Sequence, residues 1–253
     1  MEKIALVTGA TSGIGKATAF KLAEAGYSVI ITGRRWNLLA QLEKEIMKIG
    51  NVLALSFDVS NKEQVEHAFS RLPDEWKNIE LLINNAGLAA GLSSIQNGDI
   101  EDWETMIDTN IKGLLYVTKQ VTPIMISNKH GHIVNLGSIA GKEVYPNGNV
   151  YCATKYAVDA LTKAMRIDLL EHNIKVTSVC PGMVETEFSL VRFKGNKDSA
   201  KKVYKGVEPL KPEDVADVIL FAVTRPAHVN LNDIVVMPTA QASGMLVNRK
   251  KEN

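Results

Sequence analysis

The stretch "KIALVTGATSGIGKATA" (residues 3–19) sets the reading of the whole chain. The short apolar run "KIALVT" predicts a strand, and "TGATSGIG" (residues 8–15) then turns into a pattern that reads as a helix over about 13–26. Gly9, Gly13 and Gly15 fall in a G-x-x-x-G-x-G spacing, with Thr11, Ser12 and Ile14 between them. The start of a helix offers free N–H groups and the positive end of its dipole, and glycines let a pyrophosphate come close to the backbone. Three glycines alone only make a turn. Their place, between the first strand and first helix of a βαβ series, points to a dinucleotide.

The alternation continues outward. "YSVIIT", "VLALSF", "IELLINN", "GHIVNL", "IKVTSVC" and "DIVVMP" bring the strand candidates to seven, separated by helical patterns at about 36–48, 61–71, 100–127, 150–172 and 212–223. Strands alternating with helices predict an α/β fold with a parallel sheet covered on both faces. A chain of 253 residues suits one large core, so a single domain over 1–253 is expected. Residues 183–210 are polar, lack clear periodicity and carry Gly195 and Gly206; a loop of that length reads as a substrate flap.

Composition narrows the function classes. With 45% apolar residues, 23% charged residues and a net charge of +1, no single-sign block invites nucleic acid. Cys152 and Cys180 lack metal-ligand spacing, which predicts reduced thiols and no metal site. The apolar run at the N-terminus is too short for a signal segment or a membrane span, so a cytoplasmic location without a membrane partner is expected.

The second strand ends in Gly33-Arg34-Arg35, where a NAD site would place an acidic residue on the ribose hydroxyls. Two arginines there would pair with a 2′-phosphate, which predicts NADP(H); the competing reading is that they start a solvated helix. Asp58-Val59 and "NNAG" (Asn84, Asn85, Ala86, Gly87) also fall at carboxyl ends of strands, where open α/β sheets bind ligands. Asp58 is alternatively a helix cap.

Further along, "NVYCATKYAV" (residues 149–158) places Lys155 four residues after Tyr151, on the same face of a helix, whereas Tyr156 lies about 140° around it. A free phenol titrates near ~10, and a neighbouring ammonium would favour the phenolate. On spacing alone, a surface Tyr–Lys pair explains the motif equally well. Ser138, at the end of "HIVNLGS", and Asn110, inside "WETMIDTNIKGLLYVTK", are the further polar residues that give the pair its company.

Taken with T-G-x-x-x-G-I-G, N-N-A-G, Y-x-x-x-K and the Pro181-Gly182 pair, these residues resemble the short-chain dehydrogenase/reductase family over essentially the whole chain. The resemblance implies a Rossmann-type doubly wound, seven-stranded sheet of order 3-2-1-4-5-6-7. It implies that Tyr151 is the general acid/base, that Ser138 orients substrate, that Lys155 binds the nicotinamide ribose and lowers the Tyr151 pKa, and that Asn110 holds a relay water. "PGMVET" resembles the segment that folds over the nicotinamide, with Val184 and Thr186 nearest its carboxamide, and the family commonly forms homotetramers. The segments "EDWETMIDTN", "TEFSLVRFKGN" and "MPTAQAS" resemble the NADP-dependent 3-hydroxy acid dehydrogenases, which act on serine, allo-threonine and related small hydroxy acids. Arg192 is the candidate carboxylate partner of such a substrate, the competing readings being a solvated loop residue or an inter-subunit ion pair, and Met183, Glu185, Phe188 and residues 143–148 are candidates to shape its pocket. The alternatives are a 3-oxoacyl thioester or general ketone reductase, against which the missing C-terminal "D-G-G" counts, and a non-catalytic NADP(H) sensor, against which Tyr151 and Lys155 count.

Overall fold

The computed structural model describes residues 3–250. Residues 1–2 and 251–253, including the end of the basic C-terminal run, lie outside the described residues. Seven strands, β1 (Ile4–Val7), β2 (Ser28–Gly33), β3 (Val52–Ser56), β4 (Ile79–Asn84), β5 (Gly131–Leu136), β6 (Ile174–Pro181) and β7 (Asp233–Val236), form one sheet. They pair in parallel in the order β3-β2-β1-β4-β5-β6-β7. Helices α1 (Gly13–Glu24), α2 (Trp36–Ile46), α3 (Lys62–Ser70), α4 (Ile100–Ile107), α5 (Leu114–Asn128), α6 (Asn149–Asp168), α7 (Phe188–Arg192), α8 (Lys197–Tyr204) and α9 (Pro212–Val223) join them.

Alternation along the inner strands explains why both faces are buried. In β1, Ile4 and Leu6 enter one apolar core with Val117, Val121 and Met125 of α5, while Ala5 and Val7 enter the other with Leu22 of α1 and Ile219 of α9. Because β1 lies between β2 and β4, the order of connection reverses there, which leaves a crevice at the carboxyl ends of those strands.

The expected helix at 100–127 is broken. Between α4 and α5, Asp108–Gly113 forms a π-helical turn that carries Asn110, and such turns insert an extra residue where a side chain must point inward. The expected helix over 150–172 ends earlier, with α6 stopping at Asp168 and a 3₁₀ turn, Leu170–His172, closing on Asn173 at φ 58°. Segment 183–210 holds α7 and α8. Residues 249–250 dock beside α8, where Arg249 donates to the carbonyls of Lys205 (2.6 Å) and Val203 (3.0 Å) and Lys250 N–H donates to Gly206 O (2.8 Å).

One buried group makes stability depend on pH. His132 in β5 is packed against β6, its Nε2 2.8 Å from Thr177 Oγ1 and its Nδ1 without a partner, and burial holds its imidazole down to about 3. The unfolded chain takes up this proton below about 6.5, so stability present above that pH is lost as pH falls towards 3, by about 1.4 kcal/mol per pH unit. Urea unfolding between pH 7 and 5 is expected to show this slope reduced by about one proton in His132→Gln. Equal slopes in the two proteins would exclude His132 as the source.

Candidate active site

The crevice encloses about 430 Å³ and begins at the glycine turn. Gly13 adopts φ 53°, which favours glycine, and with Ile14 it opens α1 into the cleft. Ser12 is the cap of α1 yet makes no side-chain cap bond, and the first turn holds no acidic residue. The leading N–H groups of α1 therefore keep their capacity for an anion. Gly9, Thr11 and Ser12 line the cleft as expected. Gly15 does not: a Cβ there would lie 2.4 Å from both Asn85 Nδ2 and Gly9 O, so this glycine lets α1 pack against the neighbouring turn instead of touching a ligand.

At the far end of the cleft stand Arg34 and Arg35. A Cβ on Gly33 would meet Thr11 Cγ2 at 2.8 Å, so any side chain there requires Thr11 to shift. Arg35 donates to Thr11 Oγ1 (2.9 Å from Nη2, 3.3 Å from Nε) and Ser12 Oγ (2.9 Å), and pairs with Glu187 at 2.9 Å. Arg34 pairs with Asp58 at 3.3 Å. Burial pushes the Asp58 carboxyl up, but hydrogen bonds from Ser60 and the charge of Arg34 outweigh it and hold the group below its ordinary range. Asn61, not Asp58, caps α3, accepting from Gln64 N–H. Val59 lines the cleft beside it.

Thr8 ties the two glycine-bearing segments together. Its hydroxyl accepts from the N–H groups of Asn85 (3.0 Å) and Ala86 (2.9 Å), while Asn85 Nδ2 donates to the carbonyls of Thr8 (2.8 Å) and Gly9 (3.1 Å). Asn85, Ala86 and Gly87 consequently face the cleft. Asn84 turns away and donates to Thr118 Oγ1 and Asn135 Oδ1.

Helix α6 presents Tyr151 and Lys155 on one buried face, 8% and 7% exposed, whereas Tyr156 is 42% exposed and donates to Lys142 O. Ser138, just beyond β5, accepts from Ala140 N–H at 3.1 Å and lines the cleft together with Tyr151, whose phenol it pulls down. Burial drives the Tyr151 phenol far above its usual value, and burial holds the Lys155 ammonium down to about 8. Lys155 Nζ donates to Leu136 O at 2.8 Å. Asn110 sits one layer behind the cleft wall: its Oδ1 accepts from Leu88 N–H (2.8 Å) and its Nδ2 donates to Leu88 O (2.8 Å) and Thr154 Oγ1 (3.0 Å). Both amide protons are thereby used, so a water held at this residue would donate to Oδ1 or to the backbone carbonyl.

Pro181, Gly182, Val184 and Thr186 line the cleft, but Met183 does not. Val184 bridges Leu210 in strand-like fashion, and alternation turns the adjacent side chain the other way. Arg192 also lies outside the cofactor-sized cleft and lines a neighbouring cavity of about 270 Å³ whose wall includes Tyr151. Its Nη2 donates to the Tyr145 hydroxyl at 2.7 Å, and Phe188 packs edge-on against Tyr151 with centroids 5.5 Å apart. Sequence reasoning missed Thr8 and Glu187. Thr8 was visible as the first residue of the glycine motif; nothing local marks Glu187.

Known proteins agree with this architecture. The NADP-dependent 3-hydroxy acid dehydrogenase of Salmonella typhi is 46% identical over 248 residues, covering 97% of this chain and 99% of that protein. Sulfoacetaldehyde reductase 2 of Chromohalobacter salexigens is 46% identical over 243 residues, 96% of each chain. Among solved structures, the closed form of a serine dehydrogenase complexed with NADP+ superposes with a TM-score of 0.93 at 44% identity, covering 98% of this chain and 100% of that one. The sequence profile that matches residues 3–196 is that of the short chain dehydrogenases, and this chain belongs to that family.

Proposed function

We propose that the chain is an NADP-dependent dehydrogenase that oxidises the 3-hydroxyl of small 3-hydroxy acids, such as serine, allo-threonine and 3-hydroxypropionate, or reduces the corresponding carbonyl. The observation that carries this reading is Tyr151 and Ser138 together in the wall of a cleft whose other end holds two arginines and an uncapped helix start. The donor set fits NADP: the N–H groups at the start of α1 would take the pyrophosphate, and Arg34 and Arg35 a 2′-phosphate. When bound, the cofactor supplies the hydride acceptor, or the donor in the reverse direction.

The chain's own residues do the rest. Ser138 holds the substrate oxygen, and Tyr151 accepts the hydroxyl proton during oxidation or returns it during reduction. Lys155 is within one helical turn of Tyr151, where its ammonium favours the phenolate. Asn110, fixed by Leu88 and Thr154, holds the water through which the proton leaves. Arg192, whose buried Nε has no hydrogen-bond partner, would meet the substrate carboxylate.

Residues 1–253 act as one catalytic domain, with 183–210 as its flap. Apolar side chains exposed on α4, α5 and α6, among them Ile100, Leu115 and Ile167, support a homotetramer built on those helices; light scattering at the mass of one chain would remove that assignment. No helix among the described residues is long and apolar enough to cross a membrane, and a cytoplasmic site suits buried free thiols at Cys152 and Cys180.

Protein mixed with NADP+ and L-serine is expected to generate the reduced nicotinamide absorbance, and L-allo-threonine and 3-hydroxypropionate to do the same. The sulfoacetaldehyde reductase relative favours a second reading, reduction of a small anionic aldehyde. Turnover of sulfoacetaldehyde with NADPH, but of none of the hydroxy acids with NADP+, would select it.

A further inference from the structure

We infer that Arg192 is a positioning residue of the acid/base step: helix α7 sets its guanidinium on the ring of Tyr151, where it favours the phenolate over the phenol. This rests on the reading of Tyr151 as the acid/base centre and deepens it.

The geometry is specific. Arg192 Cζ lies 4.9 Å from the centroid of the Tyr151 ring, inside the ~6 Å reach of a cation–aromatic contact. A phenolate spreads its charge into the ring, so a cation on the ring face attracts the ionised form more strongly than the neutral one. The guanidinium is kept there by its 2.7 Å bond to the Tyr145 hydroxyl and by the flanking rings of Tyr145 and Phe188, at 5.7 and 5.6 Å. Gly91 N–H donates to the Arg192 carbonyl at 3.0 Å, anchoring the end of α7 to the segment that follows β4.

The charge of Arg192 is not cancelled by a neighbour. Among the described residues no carboxylate pairs with it, and the two acids of the shared cavity, Asp99 and Asp102, are taken by Lys194 at 3.3 and 2.9 Å. The other titratable groups around Tyr151 are Tyr145 before α6, and Cys152 and Lys155 within α6; Ser138 supplies a hydroxyl beside it. Lys155 has its ammonium turned to Leu136 O. Burial and Tyr145 push the Tyr151 phenol up, and Arg192 and Ser138 pull it down.

The position of this cation depends on the flap. Helix α7 is bracketed by ion pairs of opposite sense, Glu187 with Arg35 beside the glycine turn and Lys194 with both Asp99 and Asp102 at α4. Both ends of α7 are thus tied to the body of the fold, which holds Arg192 against Tyr151.

The test is the pH profile of kcat/KM for oxidation. Oxidation needs the phenolate, so the rate rises through the Tyr151 pKa, and removing a cation moves that rise to higher pH. Arg192→Met is expected to shift it by about two to two and a half pH units, the size of a unit charge at roughly 5 Å with an effective dielectric near 20. Arg192→Lys, which keeps the charge, is expected to restore at least half of the shift. The same displacement should appear with a small neutral alcohol, which has no carboxylate for Arg192 to hold. An unchanged profile with a raised KM for L-serine would overturn the inference and leave Arg192 a substrate contact alone.

A measurement without turnover separates this idea from the hydroxy acid reading. The phenolate absorbance of Tyr151 in the NADP+ complex, taken as the difference between each protein and its Tyr151→Phe version, should titrate higher in Arg192→Met than in the wild type. Equal titrations would refute the contact even if L-serine is turned over. Failure of every hydroxy acid alongside a shifted titration would refute the substrate and keep the contact. Arg192→Gln, which removes the charge but keeps a polar side chain, gives a second route should Arg192→Met not fold: a shift of the same sign supports the inference, and none counts against it.

Discussion

Replacing Tyr151 with phenylalanine is expected to lower kcat by roughly 10²–10⁴-fold, the range set by losing a positioned proton-transfer group, while NADP+ still binds. The ring would stay in place, since its edge contact with Phe188 and its face contact with Arg192 do not require the hydroxyl. What disappears is the proton acceptor beside Ser138. Cofactor binding, read by quenching of protein fluorescence, should change little, because the glycine turn and both arginines are untouched. Tyr156→Phe supplies the control. Its hydroxyl donates to Lys142 O on an exposed part of α6, so only about 1 kcal/mol of stability is at stake there. Comparable losses of kcat in both variants would remove Tyr151 from the mechanism.

The second large effect concerns the cofactor. Replacing Arg34 and Arg35 together by glutamine is expected to reduce the preference for NADP+ over NAD+ by about 10²–10⁴-fold, the loss of two charge-assisted contacts to a phosphate at about 1.5–3 kcal/mol each. Most of the change should fall on the KM for NADP+. Glutamine isolates the phosphate contribution better than an acid would, because Arg34→Asp would set a second carboxylate against Asp58, the present ion-pair partner of Arg34. A ratio of kcat/KM values for the two cofactors that stays within about twofold of the wild type would sink the assignment. The Arg35–Glu187 pair is also lost in this variant, so the flap-dependent profile of Arg192 offers an internal check on how far the damage spreads.

Much of the architecture was legible because it repeats over short distances. The apolar runs that became β1 to β6 are continuous where both sheet faces are covered, and the glycine turn stands where a strand must reverse into a helix. The pairing of Tyr151 with Lys155, and the exclusion of Tyr156, followed from helical geometry within one turn and a half. Gly33-Arg34-Arg35 announced its charge directly, whereas the closeness of Thr11 to Gly33 became visible only in the structure.

Other features depended on segments that meet only after folding. The periodicity of residues 100–127 gave no sign of the π-helical turn at Asp108–Gly113, because that turn is stabilised by Asn110 reaching the backbone of Leu88 and the hydroxyl of Thr154. Met183 and Val184 were indistinguishable as pocket residues until the bridge to Leu210 chose which one faces the cleft. Gly15 carried the motif spacing of a ligand contact, yet the closeness of Asn85 and Gly9 makes it a packing glycine.

By itself, then, the sequence determined the order of strands and helices, the phosphate-binding turn, the charge at the end of β2 and the face shared by Tyr151 and Lys155. Each of these is encoded in the spacing of residues a few positions apart, where backbone geometry dictates direction. The tertiary structure alone decided that Arg192 lies on the ring of Tyr151, that Glu187 spans to Arg35, and that Asn110 stands behind the cleft wall. Those relations join residues separated by 41, 152 and 44 positions, the latter two spans being those of the Glu187–Arg35 and Asn110–Thr154 hydrogen bonds. No local periodicity reports them, because the direction of a side chain between distant segments is set by how the helices and the flap pack on the sheet.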